Sequence, residues 1–403
     1  MGKESTPALS SVGQVGFPRQ VAWGWGATRE LTSYLKKSDV NRPLIITDPG
    51  IVKAGVLQPV LDALGGDKSG LAIFDGTKPE PGLETVAEAL EYGRSSDADV
   101  VVGVGGGSSL DVSKIVAVLL RHEASVKDVL GMGNMPGKGL PLVLVPTTTG
   151  TGSEVTQVSV LTDEADAGTK KVAYDPALLA DLVIVDPYLS MNLPPAITAV
   201  TAIDALSHAL EPFVSNRRNP IADSFAQEAI RRLSRHTRQA VLRGANCPEA
   251  RYNVAIGATL AGFALSCGGA GATHALNYPL SVELHLGHGD SIARLLPYVM
   301  QANIASDPER YAEVAELMGA TSTRQETSER ASAEASVAFI VQLCNDINVK
   351  MGLSDLVGDD SMFGAWADIA LEYSGHNIAN NPRLLSKQDI IGIYTSALER
   401  IDR

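Results

Sequence analysis

"DVVVGVGGGSSLDVSK", Asp99 to Lys114, is the stretch on which the fold turns. Its valines read as a buried strand, Gly105, Gly106, Gly107 and Ser108 as a tight turn, and the remainder has helical spacing. The same grammar recurs on either side. "RPLIITD" (Arg42–Asp48), "GLAIFDG" (Gly70–Gly76), "LPLVLVPTTTG" (Leu140–Gly150) and "ADLVIVDP" (Ala180–Pro187) are further short aliphatic runs. Pro59–Leu64, Leu83–Ser95 and Ser109–Arg121 are helical by period. Strand, helix, strand in this rhythm predicts an α/β domain over residues 1–192, a Rossmann-like parallel sheet covered by helices. Ligands of such sheets bind beyond the carboxyl ends of the strands.

After "DPYLSMNLPP" (Asp186–Pro195) the pattern changes. Long Ala- and Leu-rich stretches such as "NPIADSFAQEAIRRLSRHTRQAVL" and "ARYNVAIGATLAGFALS" carry the helical period and almost no strand signal. Residues 193–403 therefore read as an all-helical second domain. Thr321–Ser336, rich in Ser, Thr, Glu and Arg, reads as an exposed loop or solvated helix.

The bulk numbers narrow the class of partner. Of 403 residues, 33 are basic and 46 acidic, a net charge of -13 that repels nucleic acid and anionic membranes. A small molecule is the expected partner. The N-terminus has no apolar h-region of the secretory kind, and no apolar run reaches the ~18–20 residues of a spanning helix. MGKEST fits the loose N-myristoylation pattern, but nothing else in the chain points to a membrane. Three scattered cysteines, Cys247, Cys267 and Cys344, form no CxxC pair and fit free thiols in a reducing cytoplasm.

Two loops follow predicted strands with ligand-binding chemistry. The Gly105–Ser108 turn allows a phosphate to approach the backbone, and helix-start N–H groups attract the anion. It does not match GxGxxG, because Ser108 stands where the last glycine belongs, and a ligand-free turn is the other reading. "PTTTGTGSE" (Pro146–Glu154) masses hydroxyls and glycines after another strand. Asp48, closing an earlier strand, reads either as an acceptor for ribose hydroxyls or as a helix cap before Pro49.

The helical half carries "AIDALSHALE" (Ala202–Glu211), in which Asp204 and His208 share one helical face at i,i+4. Three of the seven histidines, His274, His285 and His288, lie in "GGAGATHALNYPLSVELHLGHGDS" (Gly268–Ser291). A lone histidine in an apolar setting is more often a satisfied core residue. One acid with several imidazoles would suit Fe(II), Zn(II), Ni(II) or Co(II), since no thiolate is involved.

"GGGSSLDVSK", "PTTTGTGSE", "AIDALSHALEPFVS" and "GATHALNYPLS…LGHGDSIARLLPYVM" together resemble the iron-containing (group III) alcohol dehydrogenases, from Phe17 to Tyr394. The resemblance implies a dehydroquinate synthase-like architecture, a nucleotide-binding α/β domain followed by a helical domain with the active site in the cleft between them. By motif it implies one divalent metal on Asp204, His208, His274 and His288, Fe(II) first, with Zn(II) or Mn(II) as alternatives. It puts the diphosphate of NAD, rather than NADP, on Gly105, Gly106, Gly107 and Ser108. Thr147, Thr148, Ser153 and Lys171 line the rest, with Asp48 as the acid that selects NAD. Asp204, His274 and Tyr278 are the implied catalytic residues.

The implied activity is NAD-dependent alcohol dehydrogenase or aldehyde reductase on a small, functionalised alcohol or aldehyde, in a cytoplasmic homo-oligomer, dimer or higher. Two departures stand out. Tyr278 occupies a position where many members carry histidine, and Pro79-Glu80-Pro81 replaces Pro-Asn-Pro. Tyr278 is shared with relatives resembling hydroxyacid-oxoacid transhydrogenase and 4-hydroxybutyrate dehydrogenase, the alternative reading in which bound NAD is recycled. Tyr278 then reads either as a proton donor or as a wall of the pocket.

Overall fold

In the computed structural model, which describes residues 13–65, 71–166, 169–320 and 328–399, the chain divides into two units at Leu193. The MGKEST pattern and residues 321–327 lie outside the described residues.

The first unit, Gly16–Asn192, runs β1 (Val21–Trp23), α1 (Glu30–Ser38), β2 (Pro43–Ile46), α2 (Pro49–Lys53), α3 (Gln58–Ala63), β3 (Ala72–Phe74), α4 (Leu83–Ser95), β4 (Val100–Gly105) and α5 (Gly107–Arg121). It continues through β5 (Gly131–Met132), β6 (Leu142–Pro146), β7 (Val158–Asp163), β8 (Thr169–Tyr174) and β9 (Leu182–Val185). Six strands form a parallel sheet in the order β1-β9-β6-β4-β2-β3. Strands β2, β4, β6 and β9 are buried at every position, as helices on both faces of a parallel sheet require. The valine run of Val100–Val104 thus sits in the middle of the sheet, paired with β2 on one side and β6 on the other. β2, β4 and β6 are neighbours, so the loops that leave their carboxyl ends emerge side by side.

Two features escape the sequence pattern. β7 and β8 pair antiparallel and, with β5, make a separate three-stranded sheet where no strand was expected. Each is half buried and rich in polar residues, so neither gives the aliphatic signature of the main sheet. The Ser328–Ser336 part of the expected solvated stretch begins a helix whose Ser332, Ala333 and Ser336 are buried. Small residues pack there without a hydrophobic signal.

The second unit contains only helices among its described residues. They are α6 (Pro195–Val214), α7 (Pro220–Arg243), α8 (Pro248–Gly268), α9 (Ala272–Glu283), α10 (His288–Asn303), α11 (Pro308–Met318), α12 (Glu329–Asp346), α13 (Phe363–Asn380) and α14 (Lys387–Glu399). Proline opens α6, α7, α8 and α11, where its fixed φ suits the first turn and its missing N–H is not needed. Asn219, Asp307 and Ser328 cap α7, α11 and α12 through their side chains. α6 is buried almost continuously from Ala202 to Val214, in a core shared with residues of α7, α8 and α10. No single helix among the described residues is long and apolar enough to cross a membrane.

Gly103 shows how closely α5 lies on the sheet. A Cβ added there would stand 2.5 Å from Ser113 Oγ and 2.9 Å from Leu144 Cδ2. Gly103→Val should therefore destabilise the chain by about 1–3 kcal/mol, the usual effect of overpacking, read as a lower urea midpoint. An unchanged midpoint would contradict this packing of α5 on β4.

Candidate metal centre and nucleotide loops

α6 brings Asp204 and His208 to one stripe, and Glu211 follows at i+7 on the same face. His274 lies in the first turn of α9, and His288 is the first residue of α10. Asp204 Oδ1 faces Nε2 of His208, His274 and His288 at 3.6, 3.8 and 3.3 Å. One ligand atom from each of the four lies within 4.8 Å of the others. A tetrahedral cation with bonds of about 2.1 Å separates its ligands by ~3.4 Å, so the spacing fits. The structure thus brings together all four residues expected to hold the metal, and leaves His285 out, in the loop before α10 with φ +52°.

The electrostatics also fit a cation. Asp204 Oδ1 and His274 Nε2 are buried without a hydrogen-bond partner, a state that costs about 1–3 kcal/mol for each group unless something else satisfies them. Burial raises the Asp204 carboxyl, but the imidazoles of His208, His288 and His274 outweigh it and hold it below the usual carboxylate range. Burial pushes His208 down to about 4 against the pull of Asp204, which keeps its ring neutral and able to donate a lone pair at pH 7. Asp204 and His208 are buried and His274 is nearly so, whereas about half of the His288 side chain is exposed.

Glu211 is the functional residue that sequence reasoning passed over. Its carboxylate accepts from the backbone N–H groups of Gly271 at 2.7 Å and Thr273 at 2.6 Å, and from His274 Nδ1–H at 2.6 Å. Burial lowers the His274 pKa but Glu211 and Asp204 outweigh it; in the neutral ring, donation from Nδ1 leaves the lone pair on Nε2, the atom that faces Asp204. Burial raises Glu211, but His274 and the backbone donors outweigh it, so the group stays ionised. Its position one turn beyond His208 was the available signal. The partner it serves lies 63 residues away, and spacing cannot show that.

In the first unit Asp48, the glycine turn and the threonine loop lie close together, whereas Ser153 and Lys171 are committed elsewhere. Asp48 caps α2, Oδ1 accepting from Ile51 N–H at 3.0 Å, while a Cβ on Gly105 would stand 3.4 Å from its Oδ2. Both readings of Asp48 are thus compatible with its place. A Cβ on Gly106 would meet Thr148 Cγ2 at 3.3 Å, and one on Gly107 would meet Thr151 Cγ2 at 2.9 Å. The glycine turn and the threonine loop therefore lie against each other. Ser108 is in the first turn of α5, and Gly106, Gly107, Ser108 and Thr148 are partly exposed amid buried neighbours.

The hydroxyls of Thr47, Thr77, Ser109, Thr147 and Thr149 are buried without partners, all just past the carboxyl ends of β2, β3, β4 and β6. Such a cluster fits a polar ligand. Ser153, expected as a ligand contact, instead commits its hydroxyl within the protein, donating to Asp111 Oδ1 at 2.5 Å and accepting from Lys114 Nζ at 2.7 Å. Lys171 stands on β8, in the smaller sheet, where its ammonium pairs with Asp166 at 2.6 Å. Tyr278 sits one turn beyond His274 on α9, its ring stacked on Tyr373 with centroids 5.5 Å apart.

The family model for iron-containing alcohol dehydrogenase matches residues 18–187, and that for the C-terminal part of the Fe-containing family matches 198–398. The chain belongs to the iron-containing alcohol dehydrogenase family. It is accordingly an oxidoreductase acting on CH–OH groups. It is 39% identical to long-chain-alcohol dehydrogenase 1 of Geobacillus thermodenitrificans over 390 residues, 96% of this chain and 97% of that protein. It is 33% identical to sulfoacetaldehyde reductase of Bilophila wadsworthia, over 94% and 98% of the two chains. Among solved structures, a 1,3-propanediol oxidoreductase superposes with a TM-score of 0.91 at 34% identity, covering 96% of this chain and 100% of the other. Sulfoacetaldehyde reductase of Bifidobacterium kashiwanohense, solved with NAD+, gives 0.87 at 29% identity over 96% and 99%.

The ligand set can be tested one residue at a time. His274→Ala and His288→Ala each remove a ligand, and both should lose metal on dialysis and lose turnover while the chain stays folded by circular dichroism. Full metal retention in either would refute that ligand. Glu211→Gln keeps the shape but presents an amide N–H₂ or carbonyl to His274 Nδ1. It should weaken metal affinity by roughly 10–100-fold, as loss of an outer-shell partner does, measured by competition with a chelator.

Proposed function

We propose that this chain is an NAD-dependent, divalent-metal-activated alcohol dehydrogenase and aldehyde reductase for small, functionalised alcohols or aldehydes. The observation that carries the reading is the convergence of Asp204 Oδ1 with three Nε2 atoms at 3.3 to 3.8 Å. Asp204, His208, His274 and His288 would hold the cation, with Fe(II) favoured by the family and Zn(II) or Mn(II) as alternatives that the oxygen-nitrogen donor set also suits. Bound there, a divalent cation supplies Lewis-acid chemistry, acidifying an alcohol hydroxyl or polarising an aldehyde carbonyl.

The remaining work belongs to the chain. Backbone N–H groups at Gly106, Gly107 and Ser108, at the start of α5, receive the dinucleotide diphosphate. Thr147 and Thr148 add hydroxyls, and Lys171 adds a charge on the dinucleotide side. Asp48 Oδ2 accepts from a ribose diol and repels a 2'-phosphate. Glu211 holds a proton on His274 Nδ1 throughout the cycle, so the ring never presents the wrong nitrogen. In the oxidative direction bound NAD would supply the hydride acceptor for the alcohol carbon, and Tyr278 Oη would carry the hydroxyl proton away. Aldehyde, NADH and a proton are the products.

The names of the relatives, a long-chain-alcohol dehydrogenase, a sulfoacetaldehyde reductase and a 1,3-propanediol dehydrogenase among them, support a primary alcohol or its aldehyde as the substrate class. The cytoplasm as location and a homo-oligomer of two or more copies belong to the same reading.

The function test is a panel of short aldehydes and alcohols with NAD(H), run on protein loaded in turn with Fe(II), Zn(II) and Mn(II). Oxidation or reduction dependent on both added metal and NAD(H) is expected. Activity that survives complete metal removal would defeat the reading. Cofactor choice is tested by Asp48→Asn, which can still cap α2 but carries no charge. The NADP to NAD ratio of kcat/KM should rise on the order of tenfold, because like-charge juxtaposition costs at least about 1.4 kcal/mol. An unchanged ratio would leave Asp48 as a helix cap alone.

A further inference from the structure

α5 carries the glycine turn at its start and, about two turns later, an ammonium group sealed from water. Lys114 is fully buried. Its Nζ donates to Ser153 Oγ at 2.7 Å and to the Val158 carbonyl at 2.6 Å, with Asp111 Oδ1 at 3.3 Å and Thr156 Oγ1 at 3.4 Å. Asp111 takes part from the other side. Its Oδ1 accepts from Ser153 Oγ, its Oδ2 from Val160 N–H at 2.9 Å, and its backbone carbonyl from Ser159 Oγ at 3.1 Å.

Apart from the contact within α5 itself, these bonds join α5 to the segment that leaves β6 and enters β7. The contacts then return to their origin. Ser153 N–H donates to Thr151 Oγ1 at 3.3 Å, and Thr151 Cγ2 lies 2.9 Å from where a Cβ on Gly107 would be. Gly107, Lys114, Ser153 and Thr151 thus close a ring that ties the threonine loop to the first turn of α5. Burial draws the Lys114 pKa down, and the neighbouring Asp111 carboxylate opposes that shift. An apolar side chain of similar length would fill the space without that penalty but could not bind Ser153 and Val158.

We propose that Lys114 is a positioning residue for the dinucleotide, setting the spacing between the Gly105–Ser108 turn and the Thr147–Thr151 loop and thereby the affinity for NAD. The proposal rests on the NAD reading above. It also gives Ser153 a different task from the expected one: its hydroxyl holds the loop instead of touching the ligand.

The test titrates NAD against metal-loaded protein by calorimetry, with metal content and circular dichroism measured on each variant. Lys114→Met and Ser153→Ala should each raise Kd for NAD about tenfold, with KM for NAD rising more than kcat falls and metal content unchanged. Because the two side chains share the bond that holds the loop, the double variant should bind less weakly than the two single losses added together. A folded Lys114→Met protein with the parental Kd overturns the proposal. If Lys114→Met does not fold, Ser153→Ala decides, and a parental Kd there overturns it equally. A parent chain that binds neither NAD nor NADP would instead fail the dinucleotide reading, and the proposal with it.

Discussion

A single carboxylate oxygen turned toward three imidazole nitrogens inside a helical core is the constraint on which the second unit depends. α6 is buried along nearly its whole length, and such a helix is normally apolar all round. Asp204 and His208 break that rule, and Asp204 Oδ1 and His274 Nε2 are buried polar atoms that no neighbouring protein group satisfies. The imidazoles keep Asp204 ionised, whereas burial, against the pull of Asp204, keeps His208 neutral. Four donors of this hardness, so arranged, are stabilised most by a cation. The surrounding helices supply the rigidity that fixes the donor spacing before any cation arrives.

Buried charge is used again wherever a loop has to be held on a neighbouring element. Glu211 on α6 takes three close donors from the Gly271–His274 segment. Asp186, just after β9, accepts from Gly26 N–H, from Thr28 N–H and hydroxyl, and from Tyr188 N–H. Lys114 on α5 donates to Ser153 and Val158. In each case one side chain gathers several bonds from the segment it holds. Such anchors contribute little net stability, because desolvation offsets much of the gain. What they give is a single permitted geometry for a segment that would otherwise have several.

Sequence reasoning reached the parts of this structure that are local. The strand, glycine turn and helix of Asp99–Lys114 were legible because each signal falls within one window, and the bounds of α4 coincide with those expected. The i,i+4 pair of Asp204 and His208 was legible for the same reason. His274 and His288 stood out as candidate partners, but their assignment as ligands came from a resemblance spanning four motifs, since spacing says nothing about contacts between helices. Glu211 and Lys114 were missed although both stand inside quoted motifs. A buried Glu or Lys looks in sequence like the solvated face of a helix until its tertiary partners are known. β7 and β8 were missed because a half-buried, polar strand lacks the aliphatic run that marks the main sheet.

Tyr278 is where chemistry and family pattern part. An imidazole, with an ordinary pKa near 6.5, can accept a proton at one nitrogen while giving one up at the other; a phenol, near 10, has a single oxygen for both acts. A relay through Tyr278 must therefore hand on its own proton and be refilled at the same atom. That demands a fixed ring and a second group within reach of Oη. The parallel stack on Tyr373 meets the first demand, since an offset pair at 5.5 Å restrains the ring of each partner. The same stack would make a flat apolar wall if the phenol carried no proton at all. The two roles differ in what a phenylalanine does. A wall would survive the loss of the hydroxyl, whereas a relay would lose kcat and the pH dependence assigned to it, with metal and NAD binding intact.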